Sequence, residues 1–227
     1  MYLPLMLIID TALDKAVIAV SRGVDILASR QMNDQKEQAA WLQPAIASLF
    51  EDLNLTLQAV DAVAVSAGPG SYTGLRIALS TAKGICYALD KKLICIDTLR
   101  IMAETVRPDI DIQGVLCPMI DARRMEVYMA VYDLNGNQLQ EAEAVILEPE
   151  TLERWAGRGN IYLFGSGAEK CKDLLKTPGL VWSVMADTTT ATTRLAAEMY
   201  AQQAFSDLAY AEPHYVKAFY SPGKAKT

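Results

Sequence analysis

Two carboxylates and two glycine turns carry most of the chemical potential of this chain. Asp10 and Asp121 each close a short apolar run, where a carboxylate could hold Mg²⁺ through water. Arg123 and Arg124 stand two and three residues after Asp121 and could hold an anion by charge alone. Gly68-Pro69-Gly70 and Gly165-Ser166-Gly167 each lie between an apolar run and a helical pattern. A helix that starts after such a turn presents unpaired N–H groups and a positive dipole end, which suits a phosphate. Asp10, Asp121 and Arg123 are therefore candidates for a nucleotide or anion site. The turns after the two aspartates, Asp10-Thr11-Ala12-Leu13 and Asp121-Ala122-Arg123-Arg124, contain no glycine, so their amides are poorly placed to approach phosphates. The simpler role for both carboxylates is to accept hydrogen bonds from the turns that follow them. Weak ATP or ADP binding is the most these residues imply, and no cofactor is required.

The first glycine turn is far more particular than the second. It opens the stretch Gly68-Pro69-Gly70-Ser71-Tyr72-Thr73-Gly74-Leu75-Arg76, after the β-branched run Val60–Ala67. Leu75, Ile77, Leu79, Ala82, Ile85 and Leu89 then keep apolar positions at helical spacing. Gly68 and Gly70 permit close approaches, Pro69 stiffens the turn, and Ser71 is the expected N-cap. The P-loop pattern is absent, and Thr73 breaks Gly-x-Gly-x-x-Gly. Arg76 falls in the first helical turn, where the dipole disfavours a cation, so it is expected to have a specific partner: a carboxylate, a carbonyl or another chain.

Other chemistries have little to work with. His214 is the one histidine, so no two-histidine metal site can form, and a Ser/His/Asp or Cys/His nucleophile would depend on it alone. It reads as structural or surface-exposed. Cys86, Cys95, Cys117 and Cys171 show no Cys-x-x-Cys and read as reduced thiols of a cytosolic protein. With 21 Lys+Arg against 27 Asp+Glu, the net charge of −6 argues against an autonomous nucleic-acid binder. Lys217, Lys224 and Lys226 form only a sparse basic tail. The apolar run Leu3–Ile9 has no basic region before it and is too short to span a bilayer. It reads as a strand, and the protein as cytoplasmic with no membrane role.

The elements that would position these residues recur in one order. Strands are expected at Leu3–Ile9, Lys15–Ser21, Val24–Gln31, Val60–Ala67 and Leu93–Ile96, with helices at Gln35–Leu53, after Ser71 to Leu89, and at Thr98–Val106. The second half repeats this with strands at Val115–Ile120, Met125–Tyr132, Gln138–Leu147, Asn160–Phe164 and Leu180–Val184. Its helices are expected from Pro149 to Ala156, at Ala168–Leu175 and from Thr188 to about Ala204. Ile9-Asp10 and Ile120-Asp121 stand 111 residues apart, as do Ala19-Val20 and Ala130-Val131. The pattern predicts an α/β protein made of a duplicated βββαβα unit. Its parts are an N-terminal lobe over 1–107, a C-terminal lobe over 108–210 and an irregular segment over 211–227.

The loop from Gly68 to Arg76 resembles that of the bacterial TsaB (YeaZ) family, relatives of the TsaD-type enzymes that build N6-threonylcarbamoyladenosine on tRNA. Ile8-Ile9-Asp10-Thr11, Asp121-Ala122-Arg123-Arg124-Met125-Glu126-Val127-Tyr128 and Pro213-His214-Tyr215 are similar to further motifs of that family. The resemblance implies an actin-like (ASKHA, ribonuclease H-like) two-lobe fold with a cleft between the lobes. It also implies a non-catalytic scaffold subunit for threonylcarbamoylation of an adenosine in tRNAs that read codons starting with A. Its partners would be a TsaD-type catalytic paralogue, a TsaE-type ATPase and a second copy of itself, with tRNA engaged only through the complex. The catalytic relatives hold a metal through His-x-x-x-His; the matching positions here are Thr98 and Met102, neither suited to that site. The interface would involve Gly68, Gly70, Ser71, Tyr72, Thr73, Gly74 and Arg76, the small-residue stripe Gly74, Ala78 and Ala82, and Trp41 on the preceding helix. That helix departs from the family: Gln38-Ala39-Ala40-Trp41-Leu42-Gln43-Pro44 stands where the family often has His-Ser-Glu-x-Leu-Leu-Pro. Lys217 stands where the family prefers arginine. The alternatives are an actin-fold ATP-binding enzyme, which would use Asp10, Asp121 and both glycine turns, and, with least support, a glycoprotease-like peptidase.

Overall fold

The computed structural model describes residues 2–34, 36–110 and 112–217. Gln35, expected to begin the first helix, and Lys224 and Lys226 of the basic tail lie outside the described residues.

Strands β1 (Leu5–Asp10), β2 (Ala16–Arg22), β3 (Asp25–Met32), β4 (Ala62–Gly68) and β5 (Lys92–Asp97) form one sheet in the order β3-β2-β1-β4-β5. The first three run as an antiparallel meander, and β4 and β5 lie parallel to β1. Strands β6 (Gly114–Asp121), β7 (Glu126–Asp133), β8 (Gln138–Ile146), β9 (Asn160–Phe164) and β10 (Leu180–Trp182) repeat the plan as β10-β9-β6-β7-β8, with the same directions. This is the duplicated actin-like α/β architecture.

Helices cover both faces of each sheet, which is why every residue of β1 and β4 is buried. On one face of the first sheet lie α1 (Gln38–Asp52) and α2 (Tyr72–Leu89). Their Leu42, Ile46, Leu49, Ala78, Leu79 and Ala82 pack on Leu7, Ile9, Val20, Val63 and Val65. Each fully buried leucine or isoleucine here stabilises the lobe by roughly 2 kcal/mol.

The last helices of the two halves are exchanged. Helix α3 (Thr98–Val106) follows the first sheet in sequence, yet Leu99, Met102, Ala103 and Val106 pack on Leu116, Ile120, Tyr132 and Phe164 of the second. Helix α4 (Thr189–Ala201) follows the second sheet, yet Leu195 and Ala196 pack on Met6, Ile8, Ala64 and Ile94 of the first. The two helices meet at Glu104, which is 7% exposed and ion-paired to both Arg107 and Arg194, at 2.6 Å each. A boundary at 107/108 therefore divides the sheets but not the helices that cover them.

Two expected helices of the second half are much reduced. The stretch from Pro149 forms turns and then a 3₁₀ helix at Glu153–Arg158, and Ala168–Leu175 is 3₁₀-helical only over Ala168–Cys171. Gly157 and Gly159 weaken helical propensity at the end of the first, and Pro178-Gly179 turns the second segment before β10. Packing keeps the apolar positions inside regardless: Leu152, Trp155, Cys171 and Leu175 are all buried. None of the described helices is long and apolar enough to cross a membrane.

Candidate functional site

The end of β1 and the glycine loop are locked face to face. Ser71 N–H donates to the Ala12 carbonyl at 2.8 Å, and the Thr11 hydroxyl donates to the Gly74 carbonyl at 2.7 Å. A Cβ at Gly70 would run into the Ala12 carbonyl oxygen, and one at Gly74 into the Thr11 carbonyl oxygen. The two glycines are thus required by backbone contact, since neither has a left-handed φ. Gly68 does have one (φ +114°) and precedes Pro69 through a cis peptide. Ser71 caps α2 as expected, its hydroxyl accepting from Gly74 N–H at 3.3 Å.

Asp10 belongs to this lock. Its carboxylate is 3% exposed and accepts hydrogen bonds from Ala12 N–H (3.1 Å), the Ser66 hydroxyl (2.7 Å) and the Thr188 hydroxyl (3.1 Å). Burial pushes its pKa up against the opposing pull of these donors. The candidate role of Asp10 as a nucleotide ligand is corrected on this geometry. The carboxylate is sealed among its own chain's donors, and the simpler turn-binding role holds. Ser66 and Thr188 had no signal in the sequence that paired them with it.

Asp121 and Arg123 face open space instead. They line a cavity of about 840 Å³ whose other walls include Ser71, Tyr72, Thr73, Ser166 and Met102. Asp121 accepts from Arg123 N–H at 2.6 Å and is ion-paired to Lys170, while its own N–H donates to the Ser166 hydroxyl at 3.1 Å. Burial is the largest single influence on the Asp121 carboxyl and pushes its pKa up, but the Lys170 ammonium, the Arg123 amide and the Arg123 charge together outweigh it and hold the carboxyl below the usual range. Lys170 also donates to the carbonyls of Arg124 (2.6 Å) and Glu126 (3.2 Å), so it pins the whole β6–β7 turn. The cavity can admit a polar or anionic group, held by one arginine and several hydroxyls.

Thr98 and Met102 are both buried. The Thr98 hydroxyl accepts from Gly68 N–H at 3.2 Å, and Met102 packs between α3 and the second sheet. Among the described residues no cluster of three His, Cys, Asp or Glu side chains could hold a metal.

The expected interface residues divide by orientation. Gly74, Ala78 and Ala82 are buried on the sheet side of α2, so this stripe is core and not a docking surface. Trp41, expected as an exposed aromatic, is half-buried and packs against the same core. The outward face consists of Ala40, Gln43, Pro44 and Ala47 on α1, with Thr73, Arg76, Ser80, Gly84, Tyr87 and Ala88 on α2. Gln43 Nε2 donates to the Thr81 hydroxyl at 3.1 Å and ties the two helices together. A Cβ at Gly84 would meet nothing within 4 Å.

The partner of Arg76 comes from the chain's far end. Arg76 Nε donates to the Tyr215 hydroxyl at 2.9 Å, and its guanidinium lies 4.2 Å from the centre of the Tyr72 ring. Tyr72 and Tyr215 pack with ring centres 5.4 Å apart. The irregular segment is thus an ordered strap as far as Lys217. Ser206 N–H donates to the Leu93 carbonyl (2.8 Å), Lys83 reaches the Ala211 carbonyl (3.0 Å) and His214 N–H donates to the Ala67 carbonyl (2.6 Å). His214 Nδ1 lies 3.5 Å from Asp97, and Lys217 reaches across to Glu126 of the second lobe at 2.8 Å. Only the Pro-x-Tyr motif hinted at this return.

The loop lock, the cavity and the strap can be set beside known proteins. The model of the family described as TsaD, tRNA N6-adenosine threonylcarbamoyltransferase, matches residues 25–218. The chain is 29% identical to the tRNA threonylcarbamoyladenosine biosynthesis protein TsaB of Escherichia coli, over 93% of this chain and 94% of that one. The chain belongs to the TsaB (YeaZ) family. Its alignment with the Bacillus subtilis TsaB is 31% identical and spans 60% of this chain and 58% of that protein. The solved structure of YeaZ from Pseudomonas aeruginosa superposes with a TM-score of 0.77 at 25% identity, over 93% of this chain and 99% of that one. The TsaB-like motifs noted in the sequence are the parts that build the lock (Asp10 and the glycine loop), the cavity wall (Asp121–Tyr128) and the strap (Tyr215).

Proposed function

We propose that this chain serves tRNA threonylcarbamoyladenosine biosynthesis as a non-catalytic cytoplasmic subunit. It would pair the outer face of α1 and α2 with a TsaD-type transferase. Family membership supports the pathway. One observation carries the mode of action: the small, uncharged Ala40, Pro44, Ala47, Ser80, Gly84 and Ala88 form much of the exposed face of two adjoining helices, with Gln43, Thr73, Arg76 and Tyr87 beside them. Such a face lets another helix pair approach closely with little charge to desolvate. A second copy of the chain would compete for the same face, giving a homodimer when the chain is alone. A TsaE-type ATPase and tRNA would join the assembled pair, because this chain is itself acidic. The chemistry would then reside in the TsaD-type partner; at the two positions matched to its metal ligands, Thr98 and Met102 are committed to packing and to Gly68.

The test is light scattering on a sizing column, with this chain alone and mixed with the TsaD-type paralogue of the same organism. A 1:1 or 2:2 complex is expected. Gly84→Trp points into open space, so it should fold with an unchanged Tm and weaken pairing by about tenfold or more, some 1.4 kcal/mol. Unshifted peaks, or full pairing by Gly84→Trp, would overturn the reading.

A second reading has one observation behind it, the cavity between Ser71 and Asp121. An ATP-binding enzyme would show magnesium-dependent turnover by the purified chain, lost in Asp121→Ala. The proposed scaffold would show none.

A further inference from the structure

We propose that the turn between β6 and β7 is a contact for RNA phosphates, made by the side chains of Arg123 and Arg124. The proposal rests on the reading above, that the chain works within a tRNA-modifying assembly, and it names the part of this acidic subunit that meets the nucleic acid.

Charge is the first observation. The neighbouring carboxylates are already matched, Asp121 with Lys170 and Glu126 with Lys217. Arg123 and Arg124 are both exposed, and neither guanidinium has a hydrogen bond or ion pair among the described residues. The tip of the turn therefore carries two cations without an ion-pair partner among the described residues, Arg123 feeling only the nearby Asp121 charge, on a chain whose net charge is −6.

Backbone conformation is the second. Arg123 and Arg124 have φ values of +69° and +48°, two left-handed residues in succession. Glycine or asparagine would occupy such positions with less strain. Such conformations cluster at functional sites, and here they bring two guanidinium groups to the tip of one turn.

The amides of the turn decide which phosphate. Arg123 N–H is taken by the Asp121 carboxylate, Ala122 N–H by the Glu126 carbonyl (3.1 Å) and Glu126 N–H by the Arg123 carbonyl (3.1 Å). A small nucleotide held in the cavity would draw on such amides for its phosphates, and these three are already committed within the turn. The turn offers two exposed guanidinium groups, Arg123 beside the cavity mouth and Arg124 next to it, as flexible forks suited to phosphates on a surface.

The test uses the complex with the TsaD-type paralogue and a fluorescein-labelled full-length tRNA transcript, titrated by anisotropy at several salt concentrations. In Arg123→Gly/Arg124→Gly, affinity at low salt should fall about tenfold, and the slope of log affinity against log salt should shrink by about 1 to 2. Tm should hold or rise, because glycine adopts the left-handed conformation freely. Unchanged affinity and slope in an assembled complex would overturn the proposal and leave the arginines a local role. If the wild-type chain fails to assemble, the pairing proposal falls, and the same titration on the chain alone decides this one by the same change of slope. Loss of Mg-ATP binding by calorimetry, with tRNA binding intact, would also overturn it and assign the arginines to a nucleotide.

Discussion

The two lobes share one strand order and put it to different uses, and their glycine turns show how. Gly68-Pro69-Gly70 is pressed against the end of β1 and launches an 18-residue helix with an outward face. Gly165-Ser166-Gly167 holds the end of β6 through Gly167 N–H to the Met119 carbonyl (3.0 Å) but launches only a four-residue 3₁₀ helix. The aspartates differ in step: Asp10 is buried in the lock, and Asp121 stands at the cavity. A duplicated framework can thus specialise by changing how tightly its first turn is closed. The first lobe presents a helical surface and one wall of the cavity, and the second lobe leaves its aspartate open to that space.

The sharpest way to break this contrast is to substitute the turn glycines. Gly74→Ala drives a Cβ into the Thr11 carbonyl oxygen, a backbone atom fixed by β1. It should destabilise the protein by about 3 kcal/mol or more in denaturant unfolding. Gly167→Ala meets first the buried Val127 side chain at 2.8 Å, then Met119 Cβ at 3.0 Å and the Ile120 backbone at 3.1 Å, a milder clash that should cost about 2 kcal/mol. Equal losses would mean the two turns are equally closed.

The next substitution removes what joins the lobes. Glu104→Gln leaves Arg107 and Arg194 without their shared charge and should cost about 2 kcal/mol, seen as a lower Tm with unchanged circular dichroism. The smallest effects separate the two aspartates by pH. Burial raises the Asp10 pKa above 3.8, so its contribution to stability is present below that pH and lost as pH rises through the folded value. Asp10→Asn, neutral throughout, should therefore gain on the wild type between pH 4 and pH 7. Asp121 is lowered, so its contribution is present above 3.8 and lost as pH falls through the folded value. Asp121→Asn should be less stable at pH 7 by under about 1 kcal/mol, and the difference should vanish in acid. Urea unfolding at both pH values checks the opposite signs.

Much of this contrast is legible in the sequence, because it rests on local signals. The expected spans of α3 and β9 coincide with the observed ones, and Ser71 caps α2 as its position predicts. The internal repeat appears as two sheets of one topology. What local pattern could not resolve was direction. Gly74, Ala78 and Ala82 suit a docking helix and a close-packed core equally, and the sheet claims them. The reduced helices of the second lobe carry apolar spacings that satisfy 3₁₀ turns as well as α-helix. The exchange depends on contacts between residues roughly 10 to 65 positions apart for α3 and about 100 to 190 apart for α4, for which no neighbouring residue gives a sign.

That exchange has a consequence for how the protein is made. The last strand of the first sheet leaves the ribosome about 90 residues ahead of α4. At about 5–20 residues per second, Met6, Ile8, Ala64 and Ile94 wait roughly 5–20 s for the helix that covers them. Until α4 arrives, Ile101 of α3 is all that the neighbouring sequence brings to that apolar side of the sheet, and its closing is timed by translation.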